Sequence, residues 1–185
     1  MAEPPPPPAT HLVVMGVSGS GKTTLASHLA RRLGWPAAEA DDFHSRDNIA
    51  KMAAGTPLTD DDRWPWLRSI RDWMAGQGTG HAGSIVTCSA LKRSYRDLLR
   101  EAPGRVLFLH VTGDPALITD RMEHRAGHFM PPGLLPSQLE TLEALEGDES
   151  GVVLVNDSSE EDLLRRALAS LDLHPTPSPT TTETP

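Results

Sequence analysis

The stretch Gly16-Val17-Ser18-Gly19-Ser20-Gly21-Lys22-Thr23 decides the fold of this chain. It matches the phosphate-loop pattern G-x-x-x-x-G-K-[ST], which indicates a nucleotide site only when a strand precedes it and a helix follows it. The apolar run from His11 to Met15 predicts that strand, because buried parallel strands are continuously apolar. The segment from Thr24 to Leu33 carries leucines on one helical stripe and ends before Gly34, so it predicts the helix.

The residue types of this loop suit a bound polyphosphate. Glycine lets backbone N–H groups turn towards phosphate oxygens, and the following helix presents the positive end of its dipole to the same anion. We expect Lys22 to reach the outer phosphates and the Thr23 hydroxyl to hold Mg²⁺. The loop residues predicted to bind ATP are Gly16, Val17, Ser18, Gly19, Ser20, Gly21, Lys22, Thr23 and Thr24.

Length and composition limit the class of protein. A chain of 185 residues that is 38% hydrophobic suits one domain with its own core. The net charge of -8 argues against a nucleic-acid partner, whose binding surface is normally basic. The single cysteine, Cys88, excludes an internal disulfide. No apolar run approaches the roughly 20 residues of a membrane span, and no signal segment is evident, so we expect a cytoplasmic protein without a membrane partner.

Proline-rich ends flank the predicted domain. Residues 1–10 and 174–185 are expected to be disordered, which leaves residues 11–173 as a single domain. Inside it, short apolar runs alternate with helical patterns, which predicts an α/β fold with a parallel sheet and helices on both faces. The further strands are predicted at Ala37–Glu39, Ser84–Cys88, Arg105–Val111 and Gly151–Val155.

A pair of helices is predicted between the second and third strands. The first covers Asn48–Ala54, and the second begins at Pro65 and carries an apolar stripe that includes Trp66 and Trp73. Such an insert lies over the carboxyl ends of the strands, where open α/β sheets bind ligands. Capping patterns predict later helices that begin at Asp114-Pro115, at a capping box over Ser137–Glu140, and at the acidic turn Ser158–Asp162.

Two carboxylates follow the second strand in Glu39-Ala40-Asp41. In extended geometry Glu39 and Asp41 point to the same side, so one can serve a metal through water and the other an acceptor hydroxyl. The alternative is a solvated acidic turn. The third strand ends at Cys88-Ser89 without an aspartate, so metal binding is assigned to Thr23 and the Glu39-Asp41 turn. Cys88 has no evident base partner and is interpreted as a buried thiol.

The segment from Arg121 to Gly133 runs from a helix that reaches about Arg125 into a Gly/Pro loop. This pattern predicts a lid over about residues 126–136 that closes on ATP. An arginine clamp on the transferring phosphate would raise the rate of transfer about 10³-fold. An ordinary basic helix end is the alternative. His124 and His128 lack further evident ligands, so no zinc site is predicted.

A series of motifs resembles the small gluconokinases: Gly16–Thr23, Asp41–His44, Asn48–Met52, Pro57–Arg63, Pro65–Leu67, Cys88–Lys92, Tyr95–Arg100 and Gly127–Met130. The resemblance runs from Leu12 to Asp157. It implies a phosphate-loop NTPase fold of the nucleoside-monophosphate-kinase and shikimate-kinase type, with a helical substrate-binding insert and a lid. Ser45 departs from the family, which commonly has proline there, and Glu39 stands where aspartate is also common.

The resemblance implies ATP-dependent phosphorylation of D-gluconate at the 6-hydroxyl with Mg²⁺, and a homodimer is expected. The implied catalytic residues are Lys22, Asp41 and Arg125. The implied substrate-binding residues are Asp41, His44, Arg63, Lys92, Tyr95 and Arg96, and the metal-binding residues are Thr23 and Glu39. Arg63 suits a carboxylate because its planar fork can bind both oxygens. Arg121 is assigned to ATP, although either lid arginine could face the phosphates.

Two other functions remain open. Shikimate kinase shares the fold and reaction type, but its glycine-rich turn after the third strand is replaced here by Cys88–Lys92. A nucleotide-binding regulator without transfer activity is the alternative from another class. The presence of Lys22, Thr23 and Asp41 together argues against it, because only catalysis requires all three.

Overall fold

The computed structural model describes residues 8–78, 82–123 and 132–170. Its strands are β1 (Thr10–Met15), β2 (Ala37–Glu39), β3 (Gly83–Cys88), β4 (Arg105–Thr112) and β5 (Gly151–Val155). They form one parallel sheet in the order β2-β3-β1-β4-β5. The central position of β1 puts its carboxyl end in the crevice where open α/β sheets bind ligands. The predicted fold class is confirmed.

The helices are α1 (Lys22–Leu33), α2 (Arg46–Ala53), α3 (Asp60–Gln77), α4 (Arg93–Leu99), α5 (Pro115–Glu123), α6 (Leu135–Thr141) and α7 (Glu160–Ser170). Short 3₁₀ turns cover Ala40–Phe43 and Pro132–Leu134. Across the three described ranges, no helix combines the length and apolar character needed to cross a membrane.

Alternate side chains of β1 supply two separate cores, one on each face of the sheet. Leu12 and Val14 pack in the core that contains residues of α1 and α7. Val13 and Met15 pack in the core that contains residues of α3 and α4. All four are fully buried, as expected for a central parallel strand with both faces covered.

Helix α3 begins at Asp60, so the predicted start at Pro65 is wrong. Thr59 caps the helix through a reciprocal pair of bonds. The Asp62 N–H donates to Thr59 Oγ1 at 3.3 Å, and the Thr59 N–H donates to Asp62 Oδ2 at 2.9 Å. Pro65 lies inside the helix, where it removes one backbone donor. The capping box therefore sets the boundary, and the proline is tolerated one turn later.

The predicted capping box at Ser137–Glu140 is also wrong. Helix α6 already begins at Leu135, with Pro136 in its first turn, where proline is favoured. Ser137 is therefore inside the helix, and its hydroxyl donates to the Leu134 carbonyl at 2.9 Å.

The amino-terminal boundary differs slightly from the predicted one. Thr10 belongs to β1 rather than to a disordered end, and the Arg105 N–H donates to the Ala9 carbonyl at 2.8 Å. The remainder of the predicted disorder, residues 1–7 and 174–185, lies outside the described residues.

Candidate active site

The phosphate loop joins β1 to α1, and glycine is required within it. Gly16 has φ 138°, and a Cβ there would lie 2.3 Å from the Val111 carbonyl oxygen. Gly21 has φ 108° and is the N-cap of α1. Because the first N–H groups of a helix have no intrahelical partner, the start of α1 at Lys22 offers an anion-binding cradle. This geometry supports the prediction that the loop binds phosphate.

Other segments that the sequence pattern did not single out brace the loop. Asn156, just after β5, donates from its Nδ2 to the Ser20 carbonyl at 2.9 Å. A Cβ on Gly19 would lie 2.7 Å from Cγ of Met122, so α5 packs directly against the loop. The Ser18 N–H donates to Oε1 of Gln138 on α6 at 2.7 Å.

A cleft of about 380 Å³ opens beside this loop. The predicted site residues that line it are Lys22, Thr23, Glu39, Asp41, His44 and Arg63. The structure therefore brings the phosphate loop and much of the predicted acceptor site to one cavity. Thr87, Ser89 and Gln138 also line the cleft, and the sequence pattern predicted none of them.

The backbone between the two predicted carboxylates, Glu39 and Asp41, differs from the extended geometry that was expected. Glu39 ends β2, and Asp41 lies in the 3₁₀ turn Ala40–Phe43, so the backbone is not extended between them. The turn forms because Ala40 is buried and its carbonyl accepts a bond from Trp66 Nε1 at 2.6 Å. Glu39 also accepts a hydrogen bond from the Thr87 hydroxyl on β3.

The donor set suits a magnesium ion held mainly by phosphate oxygens. Among the residues that the structure describes, no three His, Cys, Asp or Glu side chains are grouped to hold a metal ion. Mg²⁺ in kinases usually takes one or two protein oxygens together with waters and substrate phosphates. Thr23 and Glu39 both line the cleft and could supply such oxygens.

His44 is a neutral hydrogen-bonding group in this cleft. Its ring stacks on Trp66, with centroids 4.3 Å apart and planes 12° apart. Burial, together with the positive charge of Arg63, lowers the pKa of His44 to about 4. Its Nδ1 is buried and has no hydrogen-bond partner within the described ranges. His44 is therefore suited to bind a hydroxyl rather than to neutralise an anion.

Arg63 brings a fixed positive charge to the same wall. Its side chain is 17% exposed, and its Nη1 donates to the Tyr95 hydroxyl at 3.0 Å and lies 3.9 Å from Asp60 Oδ1. Tyr95 in turn donates to the Asp60 carboxylate, to which Lys92 Nζ also donates at 2.8 and 2.9 Å. These hydrogen bonds from Lys92 and Tyr95 lower the pKa of Asp60. Asp60, which the sequence pattern did not predict, organises this network.

Lys92 and Tyr95 do not line the cleft, in contrast to their predicted role in binding substrate. Tyr95 is buried, and both side chains are hydrogen-bonded to Asp60. Tyr95 also contacts Arg63 directly, so the geometry gives the pair a role in holding Arg63 in place.

Arg96 does not line the cleft either, in contrast to its predicted role in binding substrate. Arg96 is fully buried, and its Nε and Nη2 donate to the Glu149 carboxylate at 2.6 and 2.8 Å. Its remaining bonds go to the backbone carbonyls of Ala90, Leu91, Glu143 and Ala144. Burial acts to raise the pKa of Glu149, but hydrogen bonds from Arg96 and the Glu146 N–H bring it below its usual value. Arg96 therefore fixes the loop after β3 and has no donor left for a ligand.

The remaining residues that the sequence singled out are Cys88, Arg121 and those of the lid. Cys88 is a buried thiol as predicted, and burial raises its pKa to about 12, which disfavours a nucleophilic role. Arg121 is exposed near the end of α5. Arg125, His124, His128 and the lid up to residue 131 lie outside the described residues.

Comparisons with known proteins identify the family of this chain. No family model matches the chain. A gluconokinase from Gluconobacter oxydans is 48% identical over 157 residues, which are 85% of this chain and 88% of that protein. The structure of a sugar kinase from Janibacter sp. HTCC2649 is 58% identical, with a TM-score of 0.86 over 91% of this chain and 97% of the other.

A gluconokinase structure from Sinorhizobium meliloti 1021 is 47% identical, with a TM-score of 0.78 over 89% of this chain and 92% of the other. These similarities each cover 85% or more of this chain. The chain belongs to the gluconokinase family.

Proposed function

We propose that this protein transfers the γ-phosphoryl group of ATP to the 6-hydroxyl of D-gluconate and releases 6-phospho-D-gluconate and ADP. One observation carries the proposal: a single cleft places the phosphate loop opposite Asp41, His44 and Arg63. Membership of the gluconokinase family supports gluconate as the acceptor. It also favours this reaction over shikimate phosphorylation or nucleotide binding without transfer.

The phosphate loop holds the donor. The first N–H groups of α1 bind the polyphosphate, and Lys22 brings positive charge to the outer phosphates. Bound Mg²⁺ would neutralise phosphate charge as the bond to the leaving group breaks, with Thr23 and Glu39 as the protein residues that hold it.

The opposite wall orients the acceptor. Arg63 pairs its planar guanidinium with the gluconate carboxylate, while neutral His44 binds a sugar hydroxyl. Asp41 accepts the proton of the 6-hydroxyl as that oxygen forms its bond to the γ-phosphorus. The bond from the γ-phosphorus to the bridging oxygen of ADP breaks in the same displacement.

Several finer features belong to the same proposal. Arg121 and Arg125 are proposed to act from the lid, with Arg125 near the transferring phosphate. The homodimer and the cytoplasmic location stay predictions. Sedimentation of the purified protein and fractionation of cells that produce it would test these two features.

A coupled ADP-release assay tests the reaction. Purified protein is supplied with ATP and Mg²⁺, and with gluconate, shikimate or nucleoside monophosphates in turn. We expect ADP release that depends on gluconate, with the phosphate on carbon 6 by ³¹P and ¹³C NMR. Nucleotide binding without turnover on gluconate would contradict the proposal and favour the regulator.

A further inference from the structure

Gln138 connects α6 to the phosphate loop from across the cleft. It is 9% exposed, and its Oε1 accepts the bond from the Ser18 N–H. It lines the same cavity as Lys22 and Asp41. Its position on α6 is secured independently, because Leu135 packs with Val17 of the loop and with Met122 of α5. The amide is therefore held at a defined place between the donor and acceptor walls.

The peptide group that Gln138 binds is also the one that Lys22 binds. Lys22 Nζ donates to the Val17 carbonyl at 2.9 Å, and the N–H of the same Val17–Ser18 peptide donates to Gln138. The lysine ammonium must turn from this carbonyl towards the phosphates when it serves the nucleotide. Gln138 can hold the peptide in place while Lys22 changes partner.

We propose that Gln138 belongs to the phosphoryl-transfer machinery: its Oε1 fixes the Val17–Ser18 peptide, and its amide N–H donates to the phosphoryl group in transfer. This inference rests on the proposed kinase function but not on the identity of the acceptor. A neutral donor suits this position because it stabilises charge that develops on phosphoryl oxygens without being neutralised by the nearby carboxylates.

The position of the amide predicts a selective defect. Nucleotide affinity depends mainly on the N–H groups at the start of α1, to which Gln138 does not belong. Loss of one preorganised donor to a transition state lowers kcat by about 10² to 10³-fold. Variants of Gln138 are therefore expected to lose kcat while ATP binding is retained.

Two substitutions separate transfer from simple bracing. Gln138→Ala removes both the brace and the donor. Gln138→Glu keeps an oxygen for the Ser18 N–H but replaces the donor with a negative charge. We expect kcat to fall about 10²-fold in both, with the Kd of ATP within about threefold of wild type. If Gln138 only braces the loop, the added charge of Gln138→Glu will weaken ATP binding and kcat to a similar extent, and such a parallel loss would overturn the inference, as would wild-type kcat.

Glu140→Ala is the matched control, because Glu140 is exposed on the same helix. It should leave kcat unchanged, and circular dichroism with thermal melting should show that all three variants are folded. If Gln138→Ala unfolds, the folded Gln138→Glu variant still decides between the two roles, through the loss in kcat compared with the change in the Kd of ATP.

A transition-state mimic makes the test independent of gluconate. With Mg²⁺ present, ADP–aluminium fluoride should bind Gln138→Glu at least about tenfold more weakly than wild type, while ADP binds both alike. Equal weakening for both ligands, or for neither, would overturn the inference. Absence of wild-type turnover on gluconate would contradict the proposed function alone, because the fluoride comparison would still report on Gln138.

Discussion

The two walls of the cleft are built from different kinds of chemical group. The donor wall, residues 16–24, is one continuous segment that offers mainly backbone N–H groups, and its shape depends on positions where a Cβ does not fit. The acceptor wall consists of the side chains of Asp41, His44 and Arg63, which tertiary contacts hold in place. Nucleotide binding therefore follows from a local motif, whereas acceptor binding depends on contacts between distant segments.

The largest expected effect comes from Asp41→Asn on the acceptor wall. Loss of the proton acceptor should lower kcat about 10³-fold, equivalent to about 4 kcal/mol, while the Kd of ATP changes less than about threefold. Stopped assays with radiolabelled ATP and equilibrium nucleotide binding measure the two quantities. Asp47→Asn, at an exposed position on α2, is the control. Wild-type kcat in Asp41→Asn would place the base elsewhere.

Arg96→Met tests whether the second predicted arginine belongs to the acceptor wall. The substitution leaves Glu149 as a buried charge without its main partner, so the free energy of unfolding should fall by about 3 kcal/mol. Urea unfolding measures this loss, and Arg100→Met, on a partly exposed side chain, should cost less than about 1 kcal/mol. If Arg96→Met leaves the free energy of unfolding unchanged and raises the KM for gluconate, the result would support a role for Arg96 in binding substrate.

Arg63→Ala should raise the KM for gluconate about 10²-fold, with a smaller effect on kcat, because it removes the carboxylate partner. Arg63→Lys should recover only part of the loss, since lysine keeps the charge but lacks the planar fork. Initial rates at varied gluconate concentration measure both. Full recovery in the lysine variant would show that charge alone holds the carboxylate.

Asp60→Asn should give the smallest of these effects, a rise of about tenfold in the KM for gluconate, since Asp60 acts only through the residues that hold Arg63. Asp61→Asn, at the exposed neighbouring position, is the control. A double-mutant cycle makes the test specific: in an Arg63→Ala background, Asp60→Asn should add almost nothing. Additive effects would show that Asp60 acts independently of Arg63.

The contrast between the walls also explains what the sequence could predict. The strands and the phosphate loop were predictable because apolar runs and glycine spacing are local signals. The different roles of Arg63 and Arg96 could not be predicted, because Glu149, the ion-pair partner of Arg96, lies far from it along the chain. Asp60 resembles an ordinary acid in a first helical turn until Lys92 and Tyr95 are brought to it. Gln138 belongs to no catalytic motif, and its bond to Ser18 and its place in the cleft are visible only in the structure.

The central position of β1 has a consequence for how the chain folds during synthesis. β1 pairs with β3 and β4. Thr10, at the start of β1, is paired with Gly83 of β3 and with Arg105 of β4. Closing such long loops costs conformational entropy before the contacts between the paired strands can offset it, so non-local parallel sheets form slowly. As the ribosome extends the chain, β1 has no neighbour until β3 emerges, and it lacks its second neighbour until β4 emerges. The phosphate loop is thus made before the two strands that flank β1, and the strand that leads into it gains those neighbours only later.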